Sequence, residues 1–274
     1  QGADGTVAIG YGALGTLTSG ANNVAVGKNA LWGHLTGGNN TAIGHNSMSD
    51  TNADADTASS HNNVFIGNDA GSGTWPSSDS NYNIGIGSTA MDDAMRGSTA
   101  NVGIGYHALG TLQDGDYNVA IGYSALDANT DGSRMIAIGA DALGVYNLTS
   151  DTEGRNIALG HDAGAQLATG LRNIIIGASA FDAANGSESD NIAIGDYSLS
   201  ALDNDAVRNV AIGTNALKVL TTSSDGEGNV AIGYAAGDSL QTGDGNVLIG
   251  SAVFDAVAGD VSNCVAIGAR AADA

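Results

Sequence analysis

The run Asp127-Ala-Asn129-Thr-Asp131-Gly132 sets side-chain oxygens at alternate positions and closes on a glycine, as a calcium-binding loop opens. Asp127, Asn129 and Asp131 are therefore candidate metal ligands. The acid expected further along such a loop is replaced by Ile138, within an apolar run, so the segment also reads as a solvated turn. Asp114 with Asp116, Asp203 with Asp205, and Asp244 offer the same two readings. No other cofactor is indicated. His34, His45, His61, His107 and His161 are scattered, without a spacing such as His-x-x-x-His that would seat a metal on one face. No serine or cysteine lies in a nucleophile motif, and no carboxylate pair sits in apolar surroundings that would tune it for hydrolysis. The chain reads as a non-enzyme.

Aromatic side chains among small polar residues are the other candidates. Trp75 and Tyr82 lie in a stretch rich in Ser, Asn and Asp, and neighbouring stretches carry His61 and Tyr146. Such residues form a platform for a sugar ring or a receptor loop; alternatively, Trp75 folds over a corner of the molecule and shields its edge. Trp32 is a further contact candidate. It joins Tyr11, Tyr106, Tyr123 and Tyr234 as aromatics at recurring places, where packing between neighbouring units is the simpler role.

What must position these residues is a repeat. A glycine recurs fifteen times, as Gly10, Gly27, Gly44, Gly67, Gly87, Gly105, Gly122, Gly139, Gly160, Gly177, Gly195, Gly213, Gly233, Gly250 and Gly268. Successive copies are never closer than 17 residues and at most 23 apart, so each unit needs a minimum length and tolerates inserts. That is the signature of a solenoid whose inserts leave one corner. Val or Ile stands three residues before the glycine in 14 of 15 units, Thr41 being the exception, and Ile, Val or Leu one residue before it in all. The clearest copies, Asn118-Val119-Ala-Ile121-Gly122 and Asn209-Val210-Ala-Ile212-Gly213, supply the structural ladder residues. Period-two alternation of β-branched residues predicts a short strand with Val and Ile buried on one face. The residue between them, mostly Ala, is expected to face a close neighbour. The glycine should hold a backbone angle, or a close approach, that a Cβ would obstruct. Asn precedes the strand in 12 units, the exceptions being Thr6, Met135 and Cys264; it should bond turn backbone and the identical amide one coil away. After the glycine come Ala and a larger apolar residue, or a second glycine (Gly71, Gly164, Gly237), read as a weaker strand or a closing turn. The expectation is an all-β chain, a parallel β-solenoid of about fifteen coils forming one elongated domain over residues 1–274. At roughly 4.8 Å per coil it extends on the order of 70 Å.

Glycine is 42 of 274 residues while proline is 1, which excludes collagen. The net charge of −21, from 29 acidic against 8 basic residues, argues against nucleic acid as a partner, because phosphates need clustered Lys and Arg. No apolar run approaches the roughly 18 residues of a membrane helix, so no membrane insertion is expected. Cys264 is the single cysteine and fills the slot held elsewhere by Asn. Beginning at Gln1 rather than Met, the chain is expected to be a piece of a longer protein.

The run Asn-Val-Ala-Ile-Gly, unaltered at residues 118–122, 209–213 and 229–233, resembles the head repeat of trimeric autotransporter adhesins of the YadA type. The longer unit, with Ala-Leu after the glycine and a Thr-Gly stretch before the next Asn, as in residues 24–40, is similar to bacteriophage tail-fibre repeats. The resemblance covers essentially the whole chain. It implies a homotrimer of β-rolls, left-handed in the adhesin heads, forming a stiff projection on a virion tail or cell surface that meets a host glycan or protein receptor. The function expected is a structural and host-attachment fibre, with a bacterial trimeric adhesin and a polysaccharide-cleaving tailspike as alternatives.

Overall fold

The computed structural model describes residues 4–51, 59–75, 79–148, 150, 152–184, 186–201, 206–220, 226–254 and 261–272. Asp203 and Asp205 lie outside these residues, as does most of the insert before Asn62. The chain is an all-β parallel β-solenoid, and its described residues contain no helix. It divides into two compact units, Gln1–Met135 with Asn147–Thr152, and Ile136–Tyr146 with Glu153–Ala274.

The first unit carries β1 (Val7–Ile9), β2 (Val24–Val26), β3 (Thr41–Ile43), β4 (Val64–Ile66), β5 (Ile84–Ile86), β6 (Val102–Ile104) and β7 (Val119–Ile121). The second carries β8 (Ile136–Ile138), β9 (Ile157–Leu159), β10 (Ile174–Ile176), β11 (Ile192–Ile194), β12 (Val210–Ile212), β13 (Val230–Ile232), β14 (Val247–Ile249) and β15 (Val265–Ile267). Within each unit every strand pairs in parallel with the next in chain order, and like positions face like: Val102 with Val119, Gly103 with Ala120, Val210 with Val230, Ala211 with Ala231.

The strand faces are the reverse of the sequence expectation. The middle residue is the buried one: Ala25, Ala42, Phe65, Ala120, Ala158, Ile175, Ala193, Ala211 and Ala231 are fully enclosed. The flanking Val and Ile point outward and are half-buried or exposed, with Ile121 at 36% and Ile176 and Ile232 at 37%. The cause is the width of the coil. Its interior must also hold the Ala three residues after the glycine and the large residue after that, so only a small side chain fits opposite. Ala125 and Leu126, and Ala216 and Leu217, fill that space with no exposure. These residues form a turn, and the described residues include no second strand.

Where the middle residue is large, a glycine makes room. A Cβ on Gly71 would stand 2.6 Å from Phe65 Cδ1, one on Gly164 2.9 Å from Ile175 Cδ1, and one on Gly237 2.7 Å from Leu248 Cδ1. The motif glycine works differently. Gly122 and Gly213 have φ of 145° and 135°, and a Cβ on Gly213 would collide with the carbonyl group of Gly233 in the next coil. The expected obstruction is present.

Asn builds the wall opposite the turn. Asn209 Oδ1 accepts from the backbone N–H and side-chain amide of Asn229 (2.9 and 3.1 Å), and Asn209 Nδ2 donates to Gly226 O (2.6 Å). Asn118 Oδ1 accepts from the N–H of Met135 (3.0 Å), and Asn118 Nδ2 donates to Gly132 O (2.8 Å). Met135 returns no amide, so the first unit's ladder stops there. Fully buried and fully bonded, these amides are structural.

Candidate functional site

With Ala inside, the outer strand face becomes the feature available for contact. Burial alternates along each coil, as in exposed Tyr117, buried Asn118, half-buried Val119, buried Ala120, exposed Ile121 and exposed Tyr123. Counting from the motif glycine, positions −5, −3, −1 and +1 therefore point outward together. Parallel in-register pairing stacks each position into a column within its unit. The two central columns are uncharged and β-branched apart from Leu159, with Thr41 the only polar member. The −5 and +1 columns form the margins. Tyr106 and Tyr123 stack on the +1 margin, with ring centroids 5.2 Å apart and planes 16° from parallel. Tyr117 stands on the −5 margin beneath the Arg134 guanidinium, 5.4 Å from its ring centroid.

The candidate contact residues separate. Tyr82 is 61% exposed on the −5 margin, and Trp32 is 49% exposed, lying over the Gly12–Gly15 turn of the preceding coil. Trp75 is no surface contact: it is fully buried, edge-on to Phe65 at 5.7 Å between centroids. Tyr146 is also withdrawn from the surface. Its hydroxyl is enclosed beside Asn156 without a well-formed hydrogen bond, and burial pushes the phenol well above its ordinary pKa. Both fold inward because an insert beside so thin a core gains more by covering it than by exposing a large ring. His61 is half-buried; its Nδ1 accepts from the N–H of Gly38 (2.8 Å) and its own N–H donates to Asn81 Oδ1 (2.6 Å). It is tied into the coil wall.

Two of the three calcium candidates take part in bonds of the fold. Asn129 is fully buried, its Oδ1 accepting from the N–H of Gly132 (3.0 Å) and its Nδ2 donating to Gly132 O (2.9 Å), which closes the turn. Asp127 Oδ1 is held by His107 Nδ1 at 2.5 Å. Asp131 is half-buried. Asp116 and Asp244 likewise serve the wall, each accepting from a backbone N–H one coil back, Thr99 at 2.6 Å and Glu227 at 2.9 Å. A different trio, Asp141, His161 and Asp162, brings its ligand atoms within 4.8 Å of one another, with His161 Nδ1 2.9 Å from Asp162 Oδ2. It is a surface arrangement, and nothing else in its surroundings points to an ion.

Sequence reasoning missed His34. Fully buried, it contacts Thr51 Oγ1 through Nδ1 (2.8 Å) and the amide of Asn40 through Nε2 (3.2 Å). Burial lowers its pKa to about 4, offset in part by a backbone bond to Gly37 and reinforced by His61. The signal was its place six residues before an Asn of the ladder. Sequence reasoning also missed that the outward columns form one surface, because it assigned Val and Ile to the core.

No family model matches the chain, and no curated protein or solved structure is detectably similar to it. Among the described residues no helix is long and apolar enough to cross a membrane.

Proposed function

We propose that this chain is the β-solenoid portion of a homotrimeric attachment fibre, of the kind phages carry on their tails, whose work is structural and adhesive rather than catalytic. The observation that carries this reading is the uncharged, mostly Val/Ile face, repeated along the coils of both units and partly open to solvent in a single chain. Patches of this kind beyond a few hundred Å² are rare on soluble monomers and mark association surfaces. The occupant that fits is another copy of the same chain. It alone presents apolar columns of equal period, and the 29 acids elsewhere discourage lateral contact by any other route. Three chains would give the fibre stiffness and present each receptor contact three times, so that weak binding becomes avid. Tyr82 and Trp32, exposed and aromatic, are the residues assigned to a host glycan or protein receptor in this reading.

Sedimentation equilibrium of the purified chain tests the assembly: three times the 27.0 kDa chain mass is expected, and a monomer at micromolar concentration overturns the reading. Glycan-array binding tests the adhesive part. Trp32→Ala with Tyr82→Ala should reduce the bound signal at least tenfold without changing the mass; unchanged binding removes these two residues from the site.

A further inference from the structure

The two margins of the outward face are matched in size, coil by coil. Tyrosine stands at position +1 in four of the fifteen coils, as Tyr11, Tyr106, Tyr123 and Tyr234. In three of these four the −5 residue of the same coil is small: Gly5 with Tyr11, Ala100 with Tyr106 and Gly228 with Tyr234. Of the other eleven coils only one, that of Gly245, has Gly or Ala at −5. The two positions belong to opposite margins, separated by six residues of mostly extended chain, roughly 15–20 Å. A tyrosine therefore does not reach the −5 residue of its own coil, and contact within one chain does not explain the match.

Backbone conformation does not explain it either. All fifteen −5 residues lie in the left-handed region, and Tyr117 (φ 57°) and Arg172 (φ 60°) occupy it as Ala100 (φ 57°) and Gly228 (φ 67°) do. Ala100 has neither the freedom of glycine nor the side-chain amide that suits asparagine there. A Cβ on Gly228 would meet nothing of its own chain within 4 Å. Gly5 differs, since a Cβ there would stand 2.5 Å from Asn22 Oδ1. At Ala100 and Gly228, then, smallness leaves a recess that the chain itself does not use. The rings of Tyr11, Tyr106 and Tyr234 stand exposed beside the apolar columns.

We infer that the two margins meet between copies of the chain, the rings of Tyr106 and Tyr234 in one copy seating over Ala100 and Gly228 in the next, with Tyr11 over Gly5 continuing the seam. The inference rests on the trimer reading above and adds which side chains join the copies. Rotation about an axis parallel to the columns moves no residue along them, so equal coils face one another. Three faces closing around such an axis meet at their margins, −5 of one against +1 of the next, while the Val and Ile columns turn inward. Copies running in opposite directions would set −5 against −5 instead. Tyrosine suits such a rim, because its ring covers apolar surface while its hydroxyl stays in water. Tyr123 is the tyrosine without a small residue at −5, where Tyr117 stands. Both of these rings have partners in their own chain, Tyr106 for Tyr123 and Arg134 for Tyr117.

The test uses the full chain, with sedimentation equilibrium for assembly and circular dichroism for the fold. Ala100→Tyr with Gly228→Tyr fills both recesses, and Tyr106→Ala with Tyr234→Ala removes both rings. Each pair should raise the dissociation constant about tenfold or more while the β-sheet spectrum is kept. All four substitutions together return one ring and one recess to each coil, on exchanged sides, and should restore the wild-type constant. The mismatched combinations, Ala100→Tyr with Tyr234→Ala or Gly228→Tyr with Tyr106→Ala, leave one coil with two rings and the other with none, and should stay weak. Recovery in the fourfold variant separates lost fit from lost folding, because that chain carries every change of the two weakened pairs. If wild type is trimeric and the paired variants assemble normally, or the fourfold variant is not restored, the seam falls and the trimer stands. A monomeric wild type overturns both.

Discussion

His34 shows what one side chain does inside a coil this narrow. It is enclosed among Asn40, Thr51 and Gly37, with no room for hydration of a cation, and burial holds its pKa near 4 against 6.5 when unfolded. Between those values the unfolded chain binds a proton that the folded chain does not, so stability falls with decreasing pH. The loss begins below about pH 6.5, is complete below about pH 4, and amounts to about 3 kcal/mol. Chemical denaturation at pH 7 and pH 4.5 should show this drop, and His34→Gln should flatten that part of the profile; an unchanged slope would locate the proton uptake elsewhere. At the same scale the motif glycine and ladder Asn were legible beforehand, since each recurs with its chemistry intact. Trp75 and Tyr146 were not, because an aromatic in an insert has no register to say whether it turns in or out.

Within a coil, the three-residue strand and its facing turn share one volume. Ile175 replaces the usual Ala inside β10, and Gly164 on the preceding coil replaces the usual Leu. Neither choice is understandable alone. Ile175→Ala should cost about 3 kcal/mol by leaving a cavity. Adding Gly164→Leu should recover more than half of that, because Leu adopts the same left-handed backbone at this position in other coils, such as Leu143 (φ 51°) and Leu217 (φ 47°). A double-mutant cycle measures the coupling. Additive effects would show that the two residues do not share space.

For the whole molecule, the informative feature is the apolar face left outside. Ile194→Asp, Ile212→Asp and Ile232→Asp together place charge on the middle of that face in the second unit without touching the core, since Ala193, Ala211 and Ala231 are the enclosed residues. The triple variant should keep its β-sheet circular dichroism and sediment as a monomer. Retained assembly would mean that chains associate through another surface.

The coil length, the strand positions, the parallel stacking, the role of the glycine and the Asn ladder all follow from the amino-acid order, because each is a local requirement met again in every unit. Which strand face lies inside does not follow. Alternation separates two faces but cannot rank them when both are apolar, and that choice belongs to the interior volume once Leu and Ala of the turn have been seated. The same limit applies to Asp127 and Asn129, whose spacing with Asp131 suits an ion while the fold gives Asp127 a histidine and Asn129 a backbone N–H as partners. Spacing along the chain describes what residues can reach; packing across coils decides which partner each one meets first.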